Sequence, residues 1–291
     1  MRKRKSNKDS TLNRVVGNFA GCPVRIMIVV ISMIVILFPL YWLGTSAFKY
    51  KADYLASPPI MLPTRVTLEN ITGVLFEQKI YNQFFNSVIV ASISTIIAVV
   101  FGSMAAYSTV RGRLGKKIRH IFGIWFMIQK MYPAIATAIP VYLVMRNLRL
   151  IDTKTALIIM NTSFNLPLVI WLMMGFFEQV PIELEESAKL DGCGFFQRFF
   201  EIVFPVTKPG IIASAILAFV GAWNEFLFGV ILTINKSKTL PVVIAGYITD
   251  KGLEWGPMAS TALLTLLPVL ILVWALQKDF VQGLAMGAVK G

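Results

Sequence analysis

Few side chains in this 291-residue sequence have the types and spacing that catalysis needs. His120 is its one histidine, which excludes a histidine pair for a metal. We predict that His120 lies where the third apolar segment enters the membrane and has a structural role there, so we expect no Ser–His–Asp triad. Residues 112–117, GRLGKK, come nearest to a phosphate-binding GxxxxGK[ST] loop but lack its Ser or Thr. We therefore predict that the chain is not an enzyme, hydrolyses no nucleotide and holds no cofactor of its own.

The remaining candidates are polar side chains inside long apolar runs. An ionisable residue near the centre of a bilayer costs at least ~2.5–3.5 kcal/mol and marks a functional site by default. The alternative for Lys130 is a buried ion pair with another subunit, and for Asn161 and Asn165 it is interhelical hydrogen bonding. Asn224 and Glu225 could equally serve a pathway or gate, or an interface. The candidates for a substrate pathway are Lys130, Gln129, Asn161, Asn165, Asn224 and Glu225.

A second group of polar residues forms a charged island at residues 181–205, PIELEESAKLDGCGFFQRFFEIVFP. So many charged side chains would be too costly to place in the hydrocarbon core, so the island is predicted to lie outside it. Pro181 suits the start of a helix, ELEESAKL is helix-forming, and Gly192 supplies a stop. The pattern predicts a short surface helix, held against the membrane, that another protein binds.

Composition places both groups in a polytopic membrane protein. The chain is 56% hydrophobic and its mean hydropathy is +0.69. In such a protein the net charge of +13 sets orientation at the lipid surface, so we expect no nucleic-acid partner. A spanning helix needs ~20 mostly apolar residues. Six segments reach that length: 24–47, 85–108, 119–145, 156–177, 209–233 and 258–276.

Lysine and arginine counts orient these segments. The N-terminal tail and the 109–118 connection are both rich in Lys and Arg, so both are predicted to be cytoplasmic. The island then faces the cytoplasm, both termini lie inside, and the 49–83, 146–155 and 234–257 connections are external. The predicted organisation is a cytoplasmic tail at 1–23, a permease domain at 24–279 containing the coupling loop 178–208, and a cytoplasmic tail at 280–291.

The spacing within the island resembles the cytoplasmic signature of permease subunits of bacterial ATP-binding-cassette (ABC) importers. That signature is Glu-Ala-Ala, three residues, Gly, nine residues, Ile, one residue and Leu-Pro. This sequence departs from the signature at two positions, with Ser187 in place of Ala and Phe204 in place of Leu, and both changes are mild. Residues 222–226, 239–241 and 283–291 add resemblance to the carbohydrate branch, in particular to the smaller, six-span permease of the maltose type. The matching residues are Glu186, Ser187, Ala188, Gly192, Ile202, Phe204 and Pro205.

The resemblance implies an all-α, six-span fold in the bacterial inner membrane, with a cytoplasmic coupling helix at about 183–190. It implies three kinds of protein partner besides lipid and a saccharide: a second homologous permease, two ATPase subunits that bind ATP and Mg, and an external solute-binding protein. The binding protein would meet residues 235–256, and the C-terminal tail would reach between the ATPases. The coupling residues implied are Glu183, Glu186, Ser187, Ala188, Asp191, Gly192 and Pro205.

Substrate identity depends on Lys130. As far as the resemblance goes, permeases of neutral sugars tend to be uncharged there, so a cation suggests an anionic saccharide such as an alginate oligosaccharide. External Lys236, Lys238 and Lys251 add to this. The alternatives to an ATP-driven carbohydrate importer are a secondary transporter driven by an ion gradient, or an amino-acid or peptide permease of the same superfamily.

Overall fold

The protein is seen in a computed structural model that describes residues 23–54, 56–112, 114–250 and 252–288, without the side chains of residues 24, 25 and 278–288. The predicted N-terminal tail, apart from Pro23, and residues 289–291 of the C-terminal tail lie outside the described residues. Helices dominate the part that is described, and its strands form one short antiparallel hairpin. The predicted all-α fold class is confirmed.

The α-helices in chain order are α1 (Pro23–Ala47), α2 (Lys51–Tyr54), α3 (Glu69–Thr72), α4 (Tyr81–Arg111), α5 (Lys116–Met131), α6 (Ala138–Asn147), α7 (Lys154–Glu178), α8 (Ile182–Leu190), α9 (Phe195–Gln197), α10 (Phe204–Val206), α11 (Lys208–Trp223), α12 (Leu227–Leu232), α13 (Leu240–Gly246) and α14 (Trp255–Ala288). The strands are β1 (Ile248–Thr249) and β2 (Gly252–Leu253). Two π-helical turns, Gly73–Glu77 and Arg198–Val203, and a 3₁₀ turn, Ala134–Thr137, complete the elements.

Four of the predicted spans correspond to single long helices. Among the described residues, α1, α4, α7 and α14 are each long and apolar enough to cross a membrane. A fifth candidate is the pair of helices Phe195–Val206 and Lys208–Trp223, which meet at an angle of 81°. The count of six spans stays a prediction.

The third and fifth predicted segments are each divided into two helices in the structure. Residues 119–145 divide after α5, because Tyr132 precedes Pro133 and adopts an extended conformation with ψ 129°. Residues 209–233 divide between α11 and α12 at residues 224–226. Helices α1, α7 and α14 each contain a proline and remain continuous. Helix α14 also continues through residues 280–288. The boundary predicted between the permease domain and the C-terminal tail, at residue 279, therefore falls inside this helix.

The chain divides into two compact units. The smaller contains the described residues up to Gly73 together with Trp255–Leu263. Its chain after α1 is fastened by buried polar groups. Lys49 donates to the Ile60 carbonyl at 2.7 Å and lies 3.9 Å from the ring centroid of Trp42. Asn70 donates to the carbonyls of Ala47 and Lys49. Helix α1 itself is exposed along most of its length.

The larger unit is built on α4, α7 and α11. Apolar side chains from these helices and from residues 195–206 form its main cluster, which includes Tyr107, Phe177 and Phe199. Small residues let the helices approach closely, since a Cβ on Gly102 of α4 would lie 2.8 Å from Val169 of α7. These three helices form the frame of the unit, and α7 carries the candidate residues Asn161 and Asn165.

Contacts within this unit bring the loops together at two ends of the frame. Arg111, at the end of α4, reaches the residues that follow α7. Asp152, just before α7, contacts residues 234–237 after α12. The 109–118 connection and the island therefore share one end, as predicted, and the 146–155 and 234–257 connections share the other.

Candidate functional site

The short helix predicted within the charged island is α8, which begins after Pro181 and ends at Leu190. Glu183 and Glu185 lie in its first turn and Lys189 in its last. Carboxylates near the amino end and cations near the carboxyl end both complement the helix dipole. These local preferences explain how so short a helix forms outside the main bundle.

A buried ion pair fastens α8 to α4. Glu185 is 4% exposed, and its carboxylate accepts hydrogen bonds from Arg111 Nε and the Tyr107 hydroxyl, both at 2.6 Å. Arg111 also donates through Nη2 to the Val180 carbonyl at 2.6 Å. Because removing one member of a buried pair leaves the other charge unpaired, this contact strongly constrains where α8 lies.

The opposite face of α8 is not covered by any of the residues that the structure describes. Glu183, Glu186, Ser187 and Asp191 are exposed there, as the implied ATPase contact requires. Leu190 is 89% exposed, which adds an apolar group to the same surface. Ala188 differs from the other implied contact residues, because its side chain is 6% exposed. Ala188 lies three residues after Glu185 and shares its buried face.

Gly192 ends the helix in a left-handed conformation, with φ +88°. The Gly192 N–H donates to the Lys189 carbonyl at 3.1 Å, and the Cys193 N–H donates to the Ala188 carbonyl at 2.9 Å. Together these bonds form a Schellman motif, which satisfies the last carbonyls of the helix. A Cβ on Gly192 would meet no atom within 4 Å, so the need for glycine there comes from the backbone angle alone.

Pro205 lies in α10, close to the sharp bend between the coupling loop and α11. It is exposed, whereas the neighbouring Thr207 is buried and donates to the Val203 carbonyl at 2.8 Å. Thr207 separates α10 from α11. Pro205 therefore marks the point where the chain leaves the coupling loop and turns into the frame.

Lys130 lies in the last turn of α5, next to Gln129, and both side chains are exposed. Its Nζ donates to the Phe164 carbonyl on α7 at 3.1 Å. Pro167 has no N–H, so within the helix it leaves the carbonyl four residues before it, that of Ser163, without a backbone donor. Lys130 donates to the next carbonyl along the helix, that of Phe164, and this is its one hydrogen bond to the residues that the structure describes.

The two asparagines of α7 are buried, and they differ in their partners. Asn165 donates to the Ala218 carbonyl of α11 at 3.2 Å. This is an interhelical hydrogen bond, the alternative to a pathway role that the sequence left open. Asn161 donates to the Leu157 carbonyl of its own helix at 3.0 Å. Asn165 therefore fastens α7 to α11, while Asn161 makes a bond within one helix.

Asn224 and Glu225 form the break between α11 and α12. Asn224 donates through its side chain to the Val220 carbonyl at 2.9 Å. The Glu225 carboxylate accepts the N–H groups of Phe228 at 2.7 Å and Gly229 at 3.0 Å. Glu225 thus caps the amino end of α12, where the unpaired N–H groups favour a carboxylate.

Residues 164 and 165 of α7 contact both of the segments that are broken in the structure. Phe164 accepts from Lys130, Asn165 bonds to α11, and the rings of Phe164 and Phe228 have centroids 5.1 Å apart. The breaks in the third and fifth segments therefore meet α7 at neighbouring positions. A broken helix at membrane depth is tolerated where protein or a water-filled cavity covers its free backbone groups.

Sequence reasoning missed two carboxylates with clear roles, Glu185 and Asp152. Glu185 shares a helical face with apolar Ala188, and Arg111 ends a span on the same predicted side, so their pairing had a weak signal. Asp152 accepts the backbone N–H groups of residues 234–237. Asp152 lies 82 or more residues before these donors, and no local pattern in the sequence indicates the contact.

A frame of long apolar helices with a short charged helix anchored at one end is typical of one class of membrane transport protein. The chain belongs to the family of binding-protein-dependent transport system inner membrane components, which matches residues 98–278. It is therefore a membrane-bound transport component, and the family operates in general with ABC ATPases and binding proteins.

Two relatives and one solved structure illustrate the similarity. The sulfoquinovosyl glycerol transport system permease of Agrobacterium fabrum is 32% identical, covering 94% of this chain and 95% of its own. The trehalose transport system permease of Mycobacterium tuberculosis is 34% identical, covering 88% and 93%. A chain of a bacterial ABC transporter that imports the acidic polysaccharide alginate aligns with a TM-score of 0.74 at 21% identity, covering 92% and 97%. The last likeness concerns the fold.

Glu185→Ala is expected to detach α8 from α4. It leaves Arg111 buried without its partner, which costs on the order of 3 kcal/mol of stability. Thermal unfolding of the purified transporter and ATP-dependent uptake measure the effect. Glu183→Ala, on the exposed face, is the matched control and should change stability by less than about 0.5 kcal/mol. Equal stability of the two variants would contradict the anchoring role.

Gly192→Ala is expected to destabilise the carboxyl end of α8 by about 1–2 kcal/mol, because a Cβ is unfavourable at φ +88°. The measurement is the ratio of substrate transported to ATP hydrolysed in the reconstituted transporter, which should fall. Gly194→Ala is the control, since Gly194 has φ −69° and accepts any residue. A normal ratio in the Gly192 variant would remove the requirement for glycine.

Proposed function

We propose that this chain is the permease subunit of an ATP-driven carbohydrate importer and forms half of its translocation pathway. The observation that carries the proposal is the combination of family membership over the frame with the short helix α8, which is anchored on one face and exposed on the other. The family supplies the class of machine, and α8 supplies the place where an ATPase acts on it. This chain would perform no bond chemistry.

A saccharide substrate is supported by the relatives. Two permeases similar over nearly their whole length serve transport of sulfoquinovosyl glycerol and of trehalose. The recurrence of glycosyl compounds favours the carbohydrate branch over an amino-acid or peptide permease. A secondary transporter is not favoured, because it would leave the coupling loop without a partner.

Coupling would proceed through α8. ATP closes the two partner ATPases, the coupling helices approach each other, and the spans switch from inward-open to outward-open. Glu183, Glu186, Ser187, Asp191 and Gly192 would form the contact surface. The ion pair of Glu185 with Arg111 would carry that movement into α4, and Pro205 would mark its passage into α11.

The full assembly would contain a second homologous permease, two ATPase subunits and an external solute-binding protein in the bacterial inner membrane. ATP and Mg would be held by the ATPases, and both termini of this chain would lie in the cytoplasm. Residues 235–256 would face the binding protein, and residues 280–291 would reach between the ATPases. The exposed length of α1 leaves it available to lipid or to the second permease.

An anionic saccharide, such as an alginate oligosaccharide, is the substrate that Lys130 favours. Its ammonium group makes one described hydrogen bond, to a neutral carbonyl. Lys130 would contact a carboxylate on the substrate, with Gln129, Asn161, Asn165, Asn224 and Glu225 lining or shaping the route. The lysines of the predicted external loop would assist entry.

Vanadate should abolish ATP-dependent uptake of saccharide by vesicles that contain this chain with its partner permease, ATPases and binding protein. An ionophore that dissipates ion gradients should leave that uptake unchanged. Uptake that resists vanadate and is lost with the ionophore would instead support a gradient-driven transporter.

Lys130→Met should lower uptake of an acidic oligosaccharide by about tenfold or more, the value of one charge-assisted hydrogen bond. Uptake of a neutral oligosaccharide of equal length should be retained. Lys117→Met, at the other end of α5, is the control for loss of a positive charge. An equal loss for both sugars, or no loss, would overturn the electrostatic role of Lys130.

A further inference from the structure

The Asp152 carboxylate organises a distant stretch of backbone, residues 234–240, which we name the platform segment. The two carboxylate oxygens of Asp152 accept hydrogen bonds from the N–H groups of four consecutive residues and from one hydroxyl, at distances of 3.0–3.2 Å. The donors are Ile234 N, Asn235 N, Lys236 N, Ser237 N and Ser237 Oγ.

The backbone of Asp152 is also committed to this arrangement. Its own N–H donates to the Leu232 carbonyl at the end of α12 at 2.8 Å. Its φ of +58° lies in the left-handed region, which aspartate tolerates better than most residues. Burial alone would raise the pKa of Asp152, but the N–H donors of residues 236, 234, 237 and 235 hold that pKa well below its ordinary value. The carboxylate therefore stays charged at neutral pH.

The start of α4 holds the platform segment from a second direction. The Asn86 side chain donates to the carbonyls of Lys236 and Lys238 at 2.9 and 3.0 Å. Ser87 Oγ accepts the N–H of Leu240 at 2.8 Å. A loop in which both the N–H and the carbonyl groups are fixed by side chains from two other elements has few alternative conformations.

The platform segment lies at the end of the frame opposite to the coupling helix. Asp152 precedes α7 and α8 follows it, and a 25-residue helix is about 37 Å long. The segment leads through α13 to the β1–β2 hairpin, whose paired residues Ile248 and Leu253 are 66% and 43% exposed. Asn235 and Lys236 in the segment itself are also exposed. This end therefore presents a fixed base that continues into a hairpin with exposed apolar residues on its strands.

We propose that Asp152 is a positioning residue for the docking of the external solute-binding protein. It holds the platform segment so that the exposed residues of 234–253 meet that protein in one preformed conformation. The inference rests on the proposed function, because it takes this loop to be the binding-protein contact. A preformed loop lowers the entropy that docking must remove, so its loss weakens docking and leaves the rest of the cycle intact.

The test uses the complete transporter in lipid nanodiscs, with purified solute-binding protein of the same system. Asp152→Ala is expected to raise amide hydrogen exchange at residues 234–237 by about tenfold or more. It should raise the binding-protein concentration that gives half-maximal ATPase stimulation by about tenfold, with the basal and maximal ATPase rates unchanged. Asp152→Asn, which keeps one acceptor oxygen, should give an intermediate result.

Asp250→Ala is the matched control, because it removes a carboxylate from the same loop without removing an acceptor for residues 234–237. It should leave exchange at those residues unchanged. Asn86→Ala provides a second route to the same loosening if Asp152→Ala does not assemble, and it should shift the half-maximal concentration in the same direction.

Two results would overturn the inference. One is faster exchange at residues 234–237 with an unchanged half-maximal concentration. The other is a lower maximal rate without a shift in that concentration, which would place the effect in the frame. If binding protein fails to stimulate the wild-type transporter at all, the proposed function fails, whatever the exchange rates are.

Discussion

The buried pair of Glu185 and Arg111 is the constraint on which the coupling end of the molecule depends. A short helix outside the bundle has little intrinsic stability, so α8 needs a tertiary contact to hold its position. The pair supplies one that is costly to break, because either charge alone would be buried without a partner. Arg111 also binds the Val180 carbonyl, so α8 and the turn before it are tied to the end of α4.

The same physical requirement governs the polar residues elsewhere in the spans. No water reaches the hydrocarbon core, so every backbone N–H and carbonyl needs a partner within the protein. Glu225 caps α12, Asn165 joins α7 to α11, and Lys130 donates to α7. Each permits a helix break or a close crossing. A residue with a structural partner can still be exposed, as Lys130 is.

Much of the fold followed from hydropathy and helix signals alone. The long helices α1, α4, α7 and α14, the short helix α8 and the glycine stop at Gly192 were all predicted, since each depends on local pattern. The breaks in the third and fifth segments were not, although Pro133 indicated a weak point in the third. In the fifth, continued hydrophobicity masked a break that Glu225 stabilises by capping.

The sequence by itself determined the class of protein, because apolar length selects membrane helices and the spacing from Glu186 to Pro205 is local. It also predicted a coupling surface by residue type. Only the tertiary structure decided which face of α8 is exposed, that Ala188 points inward, and that Glu185 and Asp152 hold distant segments. Those outcomes depend on contacts between residues 74 or more positions apart, and such pairings are set by helix packing rather than by local spacing.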